Sequence, residues 1–379
     1  MKKILALLLA AVMVFSLAAC GAAAETPAAT EAPAATEAPA ATEEPAETEA
    51  PAEEPAAETI TFTDSSGREV ELPANITKIA PSGPVATMIL AAFAPEKLVC
   101  VGTTVSEMQA AYLYEGIDAL PETGQLYGGK ATLNLEELLA TGAEVIVDLG
   151  DFKSSVADDL TALQEQTGLP CIFIEADLVH MADAFRTLGT ILGKEERGEE
   201  LARLVEETMT MAEENSAKIA EGDRVSVLYS SGSDPLGTNA EGSSQAQVLG
   251  IVGATNAVVV EDVSGKGGGN IINMEQLYNF DPDVVLVTDA AALEIIESET
   301  AWQELRAVKD GRVYTVPTEP YCWLSAPPSM NMILGVWWLG NLLYPEVYDY
   351  DMTAKAQEIY KTLWNYDLTV EEAEALLGK

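Results

Sequence analysis

Residues 134–147, NLEELLATGAEVIV, decide the fold because a close counterpart, NMEQLYNFDPDVVL, occurs 139 residues later at positions 273–286. In both copies an Asn is followed three residues later by Glu or Gln, which is the arrangement of a capping box that opens a helix. Each helix then breaks at residues 141–143 or 280–282, and an apolar run typical of a buried strand follows. Two such units, far apart in one chain, predict two similar α/β lobes with a site between them.

The N-terminus has the order of a secretory signal. Lys2 and Lys3 precede an apolar run at residues 4–17, and the sequence Leu-Ala-Ala-Cys then places Cys20 at a cleavage point. A Cys there resembles the lipobox of bacterial lipoproteins, and this resemblance implies a signal peptide over residues 1–19 and a lipidated Cys20. An ordinary secretory peptide with an incidental Cys is the alternative.

Residues 21–58 repeat Thr-Glu-Ala-Pro-Ala-Ala with variations and contain ten Glu but no Lys or Arg. We therefore expect residues 20–58 to form a disordered, acidic tether without a core. After position 58 the chain has 51 acidic and 18 basic residues, a net charge of 18 − 51 = −33, so nucleic acid is not an expected partner.

Three further cysteines follow the tether, and an odd number argues against a complete disulfide framework. Cys100 and Cys171 lie in strand-like runs and are expected to be small core residues. Cys322 lies in an irregular stretch and has no assigned role.

The first lobe is predicted to span residues 59–194. It begins with a hairpin, ITFTD and REVELP, around a Ser-Ser-Gly turn. Strand, tight loop, helix and strand then alternate in βαβ order, which favours a parallel sheet. The expected elements are strands at 78–80, LVCVG (98–102), 145–147 and CIFIE (171–175), and helices ending near 93 and over 134–140, 155–166 and 179–192.

One apolar stripe runs through residues 195–222, which contain no Pro. We expect a helix of roughly 35–40 Å that connects the lobes. A second α/β series follows over residues 223–379, with strands at 225–230, 258–260, 284–287 and 313–317, helices near 244–252, 273–280, 302–308 and 330–343, and a helical tail.

Several ordered motifs over residues 59–345 resemble the substrate-binding lipoproteins of ABC importers for iron siderophores, haem and cobalamin. They are TDSSGREVELP (63–73), the paired units, WQELRAVKDGRVYTVP (302–317) and PPSMNMILGVWWLGNLLYP (327–345). The resemblance implies the class III periplasmic-binding-protein fold: two Rossmann-like lobes with central parallel sheets, joined by one long helix. It also implies ligand capture in the cleft with little lobe movement.

Members of this family dock on their permease through a surface Glu from each lobe, and the matching positions are Glu136 and Glu275. A first-turn Glu is also favoured by the helix dipole, so plain capping is the alternative. Ligands of parallel α/β sheets lie beyond the carboxyl ends of the strands. The ligand-binding residues nominated on this basis are Ser82, Gly83, Tyr127, Lys130, Asp151, Phe152, Tyr229, Ser231, Lys266, Tyr321 and Trp323.

The resemblance implies a metal complex as ligand: a ferric siderophore, haem or a corrinoid. Where relatives often have a basic residue, this chain has Met330, Asn331 and Met332, which disfavours a highly charged catecholate. A branch of the family binds molybdate or tungstate, and that alternative requires backbone amides at helix N-termini. His180, the only His, is a candidate axial ligand or a capping residue, and no intrinsic cofactor or metal is expected.

The expected partners are an ABC permease with its ATPase, a small-molecule metal complex, and the outer face of the cell membrane through the lipid anchor. We expect a monomer that is not an enzyme, because one His excludes two-His metal sites and no G-x-S-x-G elbow occurs. Two rival classes remain: an enzyme similar to metal chelatases, and a tethered sensor domain.

Overall fold

The computed structural model describes residues 58–127, 132–264 and 269–379. Cys20, Lys130 and Lys266, which the sequence nominated for lipidation or ligand binding, lie outside these ranges. All described residues belong to a single compact unit. The elements of the first lobe are β1 (Thr59–Thr63), β2 (Glu69–Pro73), β3 (Ile79–Pro81), α1 (Pro84–Phe93), α2 (Glu107–Ala110), α3 (Leu135–Ala140), β4 (Val145–Gly150), α4 (Val156–Thr167), β5 (Cys171–Glu175) and α5 (Met181–Leu192).

The long helix α6 (Glu195–Ser216) leads into the second lobe. The elements of that lobe are β6 (Ser226–Tyr229), β7 (Gly237–Thr238), α7 (Gln247–Ile251), β8 (Thr255–Asn256), β9 (Asn270–Ile271), α8 (Met274–Phe280), β10 (Val284–Val287), α9 (Ala290–Ser298), α10 (Thr300–Gln303), α11 (Arg306–Lys309), β11 (Val313–Thr315), α12 (Met332–Leu343), α13 (Met352–Trp364) and α14 (Val370–Leu376).

Each lobe has its own parallel sheet, in the order β3-β4-β5 in the first and β11-β10-β6-β8 in the second. The central strands β4 and β10 are buried along their whole length, as expected for strands covered by helices on both faces. The predicted α/β fold with two Rossmann-like lobes is therefore confirmed.

The hairpin of β1 and β2 is attached to the first sheet by the turn that joins its strands. The buried Asp64 carboxylate accepts hydrogen bonds from the backbone N–H groups of Ser66 and Arg68, and it forms an ion pair with the Arg68 guanidinium at 3.2 Å. Arg68 also donates to the carbonyl of Cys171 at 2.9 Å. One turn sequence thus fixes both the hairpin and its position at the edge of β5.

Two predicted strands do not form. The segment LVCVG forms isolated bridges, from Leu98 to Ile79 and from Val101 to Glu122. Its two ends pair with different segments, so neither pairing extends into a regular strand. The VVV segment at 258–260 lies just beyond β8. Val258 is buried whereas its neighbour Val259 is 66% exposed, so only part of this apolar run enters the core.

Helix α6 contacts both lobes. It has 22 residues and a length of about 33 Å, and it ends six residues earlier than the sequence predicted. On the first-lobe side, Arg186 of α5 reaches Glu199 at 2.8 Å and Glu206 at 2.7 Å. On the second-lobe side, the indole of Trp337 in α12 donates to Thr208 at 2.8 Å.

The C-terminal helices, predicted as part of the second lobe, also pack on the first. Arg197 of α6 donates to the carbonyls of Ala92 at 2.8 Å and Leu363 at 3.0 Å, which lie in the last turns of α1 and α13. The rings of Tyr112 and Tyr360 meet edge to face at 5.7 Å. The lobes are therefore joined by more than one helix.

Cys100, Cys171 and Cys322 are free and buried, as expected of small core residues for the first two. Within the described ranges, no helix is both long and apolar enough to cross a membrane.

Candidate functional site

A cavity of about 360 Å³ lies between the carboxyl edge of the first sheet and two segments of the second lobe. The first-lobe wall contains residues 82–86, Gln125, Tyr127, residues 148–151 and Lys153. The opposite wall contains Ser244 and Gln245, just before α7, and Pro327 and Pro328, before α12. The position agrees with the rule that ligands of parallel α/β sheets bind beyond the carboxyl ends of the strands.

The N-terminus of α1 forms part of the first wall. Gly83 precedes the helix and Pro84 occupies its first turn, a position where the missing N–H of Pro costs nothing. The first N–H groups of a helix have no partner within the helix, and they carry partial positive charge. Val85 and Ala86, which line the cavity, belong to this first turn and offer backbone donors there.

Gly83, in the loop before α1, packs directly against Gly102. A Cβ at Gly102 would lie 2.4 Å from the carbonyl carbon of Gly83, so any larger residue at position 102 would displace the cavity wall. The backbone N–H of Gly102 donates to the Thr87 hydroxyl at 2.9 Å, and that hydroxyl donates to the Gly83 carbonyl at 2.9 Å.

Asp148 is the most deeply buried carboxylate at the cavity, with 2% of its surface exposed. Its Oδ1 accepts a hydrogen bond from the hydroxyl of Ser82, whereas its Oδ2 has no partner among the described residues. Burial raises the pKa of Asp148, and the hydrogen bond from Ser82 and the charge of Lys153 oppose that shift. Because a buried polar group without a partner is costly, Asp148 is poised to bind a further group.

Charged groups at the cavity mouth come from the loop after β4. Burial and the nearby Asp177 raise the pKa of Asp151. The ammonium group of Lys153 lies 4.4 Å from the ring centroid of Tyr127 and 3.2 Å from the carbonyl oxygen of Asp151. Lys153 is the only cationic side chain among the described lining residues, which include neither His nor Cys.

The second-lobe wall has unpaired buried hydroxyl groups close behind it. Ser243 and Ser329 are 6% and 2% exposed, and neither Oγ atom has a hydrogen-bond partner among the described residues. Each is next in sequence to a lining residue, Ser244 or Pro328. Bound water or a ligand is the usual partner of such groups.

Ser82, Gly83, Tyr127 and Asp151, which the sequence nominated, all line the cavity. Phe152 is adjacent to it but is 53% exposed, and its ring packs against Phe173 at 6.2 Å.

Of the nominated second-lobe residues that the structure describes, none lines the cavity. Tyr229 is fully buried, and its hydroxyl contacts Ser325 at 2.7 Å. Ser231 donates its backbone N–H to the Gly237 carbonyl at 2.8 Å, in the loop after β6. Tyr229 thus contacts the segment that carries Pro327 and Pro328, but it does not line the cavity.

The two aromatic residues expected to contact ligand point into the core. Trp323 is fully buried, and its indole N–H donates to the carbonyl of Glu319 at 3.1 Å. The ring of Tyr321 lies 6.4 Å from that of Trp364 in α13. Neither residue lines the cavity, because the segment before α12 turns its aromatic side chains toward the C-terminal helices.

Glu136 and Glu275 are exposed in the first turns of α3 and α8. The second copy forms the predicted capping box, with Gln276 and Asn273 bonded reciprocally at 2.9 and 3.0 Å. The first copy does not, because the backbone N–H of Asn134 already donates to the carbonyl of Thr123.

Sequence reasoning missed Asp148, Ser244, Gln245, Pro327 and Pro328, and it stopped one residue short of Lys153, which follows the nominated Phe152. Asp148 carried a signal, because it is a charged residue inside the apolar strand VIVDLG, and a buried polar residue is more informative than an exposed one. The other four carried none, since Ser, Gln and Pro are ordinary loop residues.

A family model described as "Periplasmic binding protein" matches residues 82–320. The Bacillus subtilis protein named "Uncharacterized ABC transporter substrate-binding lipoprotein YvrC" is 22% identical over 296 residues, which cover 76% of this chain and 87% of that protein. The solved structure of an ABC transporter solute binding protein from Sulfurospirillum deleyianum superposes with a TM-score of 0.76 at 26% identity, covering 84% of this chain and 99% of that one. The Haemophilus influenzae protein MolA bound to molybdate superposes with a TM-score of 0.67 at 18% identity, covering 82% and 99%.

Proposed function

The chain belongs to the periplasmic binding protein family, and from this premise we propose that it is the substrate-binding subunit of an ABC importer. The observation that carries the proposal is the cavity of about 360 Å³ with one wall from each lobe. The names of the relatives, which are binding proteins of ABC transporters, support transport in preference to an enzyme.

We infer that the cargo is a compact metal oxyanion of the molybdate or tungstate type. The cavity volume is near the lower end of the range for small-molecule sites, which is about 300–1,000 Å³. The first-turn amides of α1 and the ammonium group of Lys153 are donors suited to an anion. Asp148 favours the same cargo when protonated, because a neutral carboxyl group can donate a hydrogen bond to an oxyanion.

A ferric siderophore, haem or a corrinoid is the second cargo class. The sequence motifs favour it, but the described lining contains one aromatic residue, Tyr127, and a flat macrocycle is normally bound by larger apolar and aromatic walls. A catecholate complex is the least compatible, because Lys153 is the single described cation at the cavity.

The remaining parts of the proposal concern location and partners. We propose that Cys20 is lipidated and holds the protein on the outer face of the cell membrane, which the lipoprotein name of the Bacillus subtilis relative supports. We further propose that Glu136 and Glu275 dock on the permease, which their exposure in matching first turns supports.

The cargo proposal can be tested by thermal unfolding of the purified protein with molybdate, tungstate, sulfate, ferric hydroxamate, haem or cobalamin. A ligand that binds the folded state adds stability that grows with the logarithm of its concentration divided by Kd, so molybdate and tungstate should raise Tm more than sulfate does at the same concentration. Bound metal in the protein as purified should be molybdenum or tungsten by mass spectrometry.

Other outcomes separate the alternatives. A Soret band or a corrinoid spectrum in the purified protein would assign the second cargo class. A shift with none of the ligands, together with unchanged metal uptake in cells lacking the gene, would contradict the transport function itself.

A further inference from the structure

Three potential metal ligands lie together at the carboxyl end of β5. Glu175 is the last residue of this strand, Asp177 follows two residues later, and His180 directly precedes α5. The Nδ1 atom of His180 lies 2.8 Å from Oδ1 of Asp177 and 3.8 Å from Oε1 of Glu175. One ligand atom from each of the three residues lies within 4.8 Å of the other two.

These separations are close to those around a single metal ion. Bonds of about 2.1 Å to nitrogen and oxygen, at angles of 90–110°, place neighbouring ligand atoms about 3.0–3.4 Å apart. The distances from Nδ1 of His180 to the two carboxylates, 2.8 and 3.8 Å, fall on either side of that interval. The side chains are 48% exposed for His180, 27% for Glu175 and 29% for Asp177, which leaves room for water to complete the coordination.

The charges at this place favour a cation. Neither Glu175 nor Asp177 forms a salt bridge with any Lys or Arg of the described ranges. The imidazole of His180 contacts the carboxylates of Asp177 and Glu175, so it lies in a negative potential. A dication there relieves the repulsion between the two carboxylates.

The ligand types narrow the choice of metal. An imidazole nitrogen with two carboxylate oxygens suits borderline divalent ions such as Zn²⁺, Co²⁺ and Ni²⁺, whereas Ca²⁺ and Mg²⁺ prefer oxygen alone. We propose that Glu175, Asp177 and His180 form a binding site for a borderline divalent transition-metal ion at the rim of the first lobe. None of the three residues lines the cavity described above.

Because the chain contains a single His, its imidazole reports on this site alone. The test is a Zn²⁺ titration of the full-length, ¹⁵N-labelled chain without cargo, followed through the ring nitrogen resonances of His180. We expect a shift of the Nδ1 resonance that saturates at one Zn²⁺ per chain. An unshifted imidazole at saturating Zn²⁺ would overturn the proposal.

Variants distinguish coordination from general attraction to an acidic protein. Asp177→Asn removes a ligand and should lower the Zn²⁺ affinity at least about tenfold. Asp183→Asn is the matched control, because it removes the same charge from an 85% exposed carboxylate in α5, just after the triad in sequence and outside it. It should change the affinity less than about twofold. Equal losses in the two variants would refute a coordinated ion.

Neither outcome depends on the proposed transport function, since Zn²⁺ binding is measured in the absence of molybdate or any other cargo. His180→Ala provides a second measure by calorimetry and should also lower the affinity at least about tenfold. Its imidazole is 48% exposed, so this variant should keep the Tm of the parent protein.

Discussion

Glu144 and Asp283 lie 139 residues apart, and each binds the backbone at the start of the neighbouring parallel strand. Glu144 Oε2 accepts the N–H of Thr77 at 2.6 Å and that of Lys78 at 3.1 Å, directly before β3. Asp283 Oδ2 accepts the N–H of Ser226, the first residue of β6, at 2.8 Å. The offset equals that of the repeated unit. In both sheets, therefore, an acidic side chain at the same place in the repeat holds the start of the neighbouring strand.

We expect these hydrogen bonds between carboxylate and backbone to stabilise the fold at neutral pH and to lose this effect in acid. Burial raises the pKa of Asp283, but hydrogen bonds from Ser226 and Arg306 outweigh burial and lower its pKa from the ordinary value of an Asp. A carboxyl group whose pKa is lower in the folded state stabilises the fold at pH values above its unfolded-state pKa. This stabilisation is lost as the pH falls through its folded-state pKa. Asp283→Asn should therefore reduce the unfolding free energy by about 1–2 kcal/mol at pH 7.

Urea unfolding at pH 7 and near pH 3 measures both effects. The difference between Asp283→Asn and the parent protein should shrink at the lower pH, because protonation of Asp283 begins to remove the carboxylate from the parent protein as well. Glu144→Gln should behave in the same way, since hydrogen bonds from Thr77 and Lys78 also lower the pKa of Glu144 against the effect of burial. A difference that is independent of pH would contradict this explanation.

Asp148 should control how the cavity binds an oxyanion. If its protonated form donates to molybdate, affinity should fall as rising pH ionises Asp148, whose charged neighbours are Lys153 in the adjoining loop and Asp159 on α4. Asp148→Asn keeps a donor and should bind with little pH dependence, whereas Asp148→Ala should lose at least about tenfold in affinity.

Isothermal calorimetry between pH 5.5 and pH 8.5 provides the comparison. Equal losses in Asp148→Asn and Asp148→Ala would instead assign Asp148 as an ionised acceptor. A cargo with hydroxyl or amine donors would then be required.

Gly335 should tolerate no side chain. It lies inside α12, where a Cβ would approach the carbonyl oxygen of Trp323 to 2.1 Å, so the helix packs directly on the backbone of the preceding segment. Gly335→Ala should destabilise the fold by about 3 kcal/mol.

Gly250→Ala is the matched control, because Gly250 lies in α7 with no atom within 4 Å of the added Cβ. It should stabilise the fold by about 0.5 kcal/mol. Unfolding in guanidinium chloride measures both changes, and similar values for the two variants would argue against the close contact at Trp323.

Charge reversal at Glu136 and Glu275 tests the proposed docking surface. The family resemblance implies that the two Glu residues meet Arg residues of the permease. The double variant Glu136→Lys with Glu275→Lys should therefore abolish uptake, because like charges at an interface are strongly unfavourable. Cargo affinity should stay within about twofold, since neither residue lines the cavity.

Uptake of the cargo metal by cells carrying each variant is the measurement. Glu165→Lys with Glu297→Lys is the control, with one exposed Glu reversed per lobe on α4 and α9. Normal uptake by the first pair, or equal loss by the control pair, would rule out docking through Glu136 and Glu275.

The sequence was most informative where local patterns decide the structure. CIFIE forms β5 over the predicted residues, and Asn273 caps α8 as expected, because burial and capping act over a few neighbouring residues. LVCVG carried the same apolar signal and still formed no regular strand, because its pairing depends on distant segments.

The site was harder to predict for a related reason. Loop residues that follow strands, such as Ser82 and Asp151, could be placed at the cavity from topology alone. Trp323 could not, because the direction of its side chain depends on α13, which packs from the C-terminal end of the chain. Asp148 could not be placed because the predicted strand ends at Val147, whereas β4 continues to Gly150 and buries the Asp148 side chain.

The attachment of α6 to both halves affects how delivery would proceed in the proposed transport cycle. Its contacts with Arg186 on one side, and through Thr208 on the other, oppose any large rotation of one lobe relative to the other. The ligand-free and ligand-bound forms of the protein would then present nearly the same surface to the permease complex. Unfilled copies would compete for that complex, and the rate of import would follow the ratio of filled to unfilled molecules in the envelope.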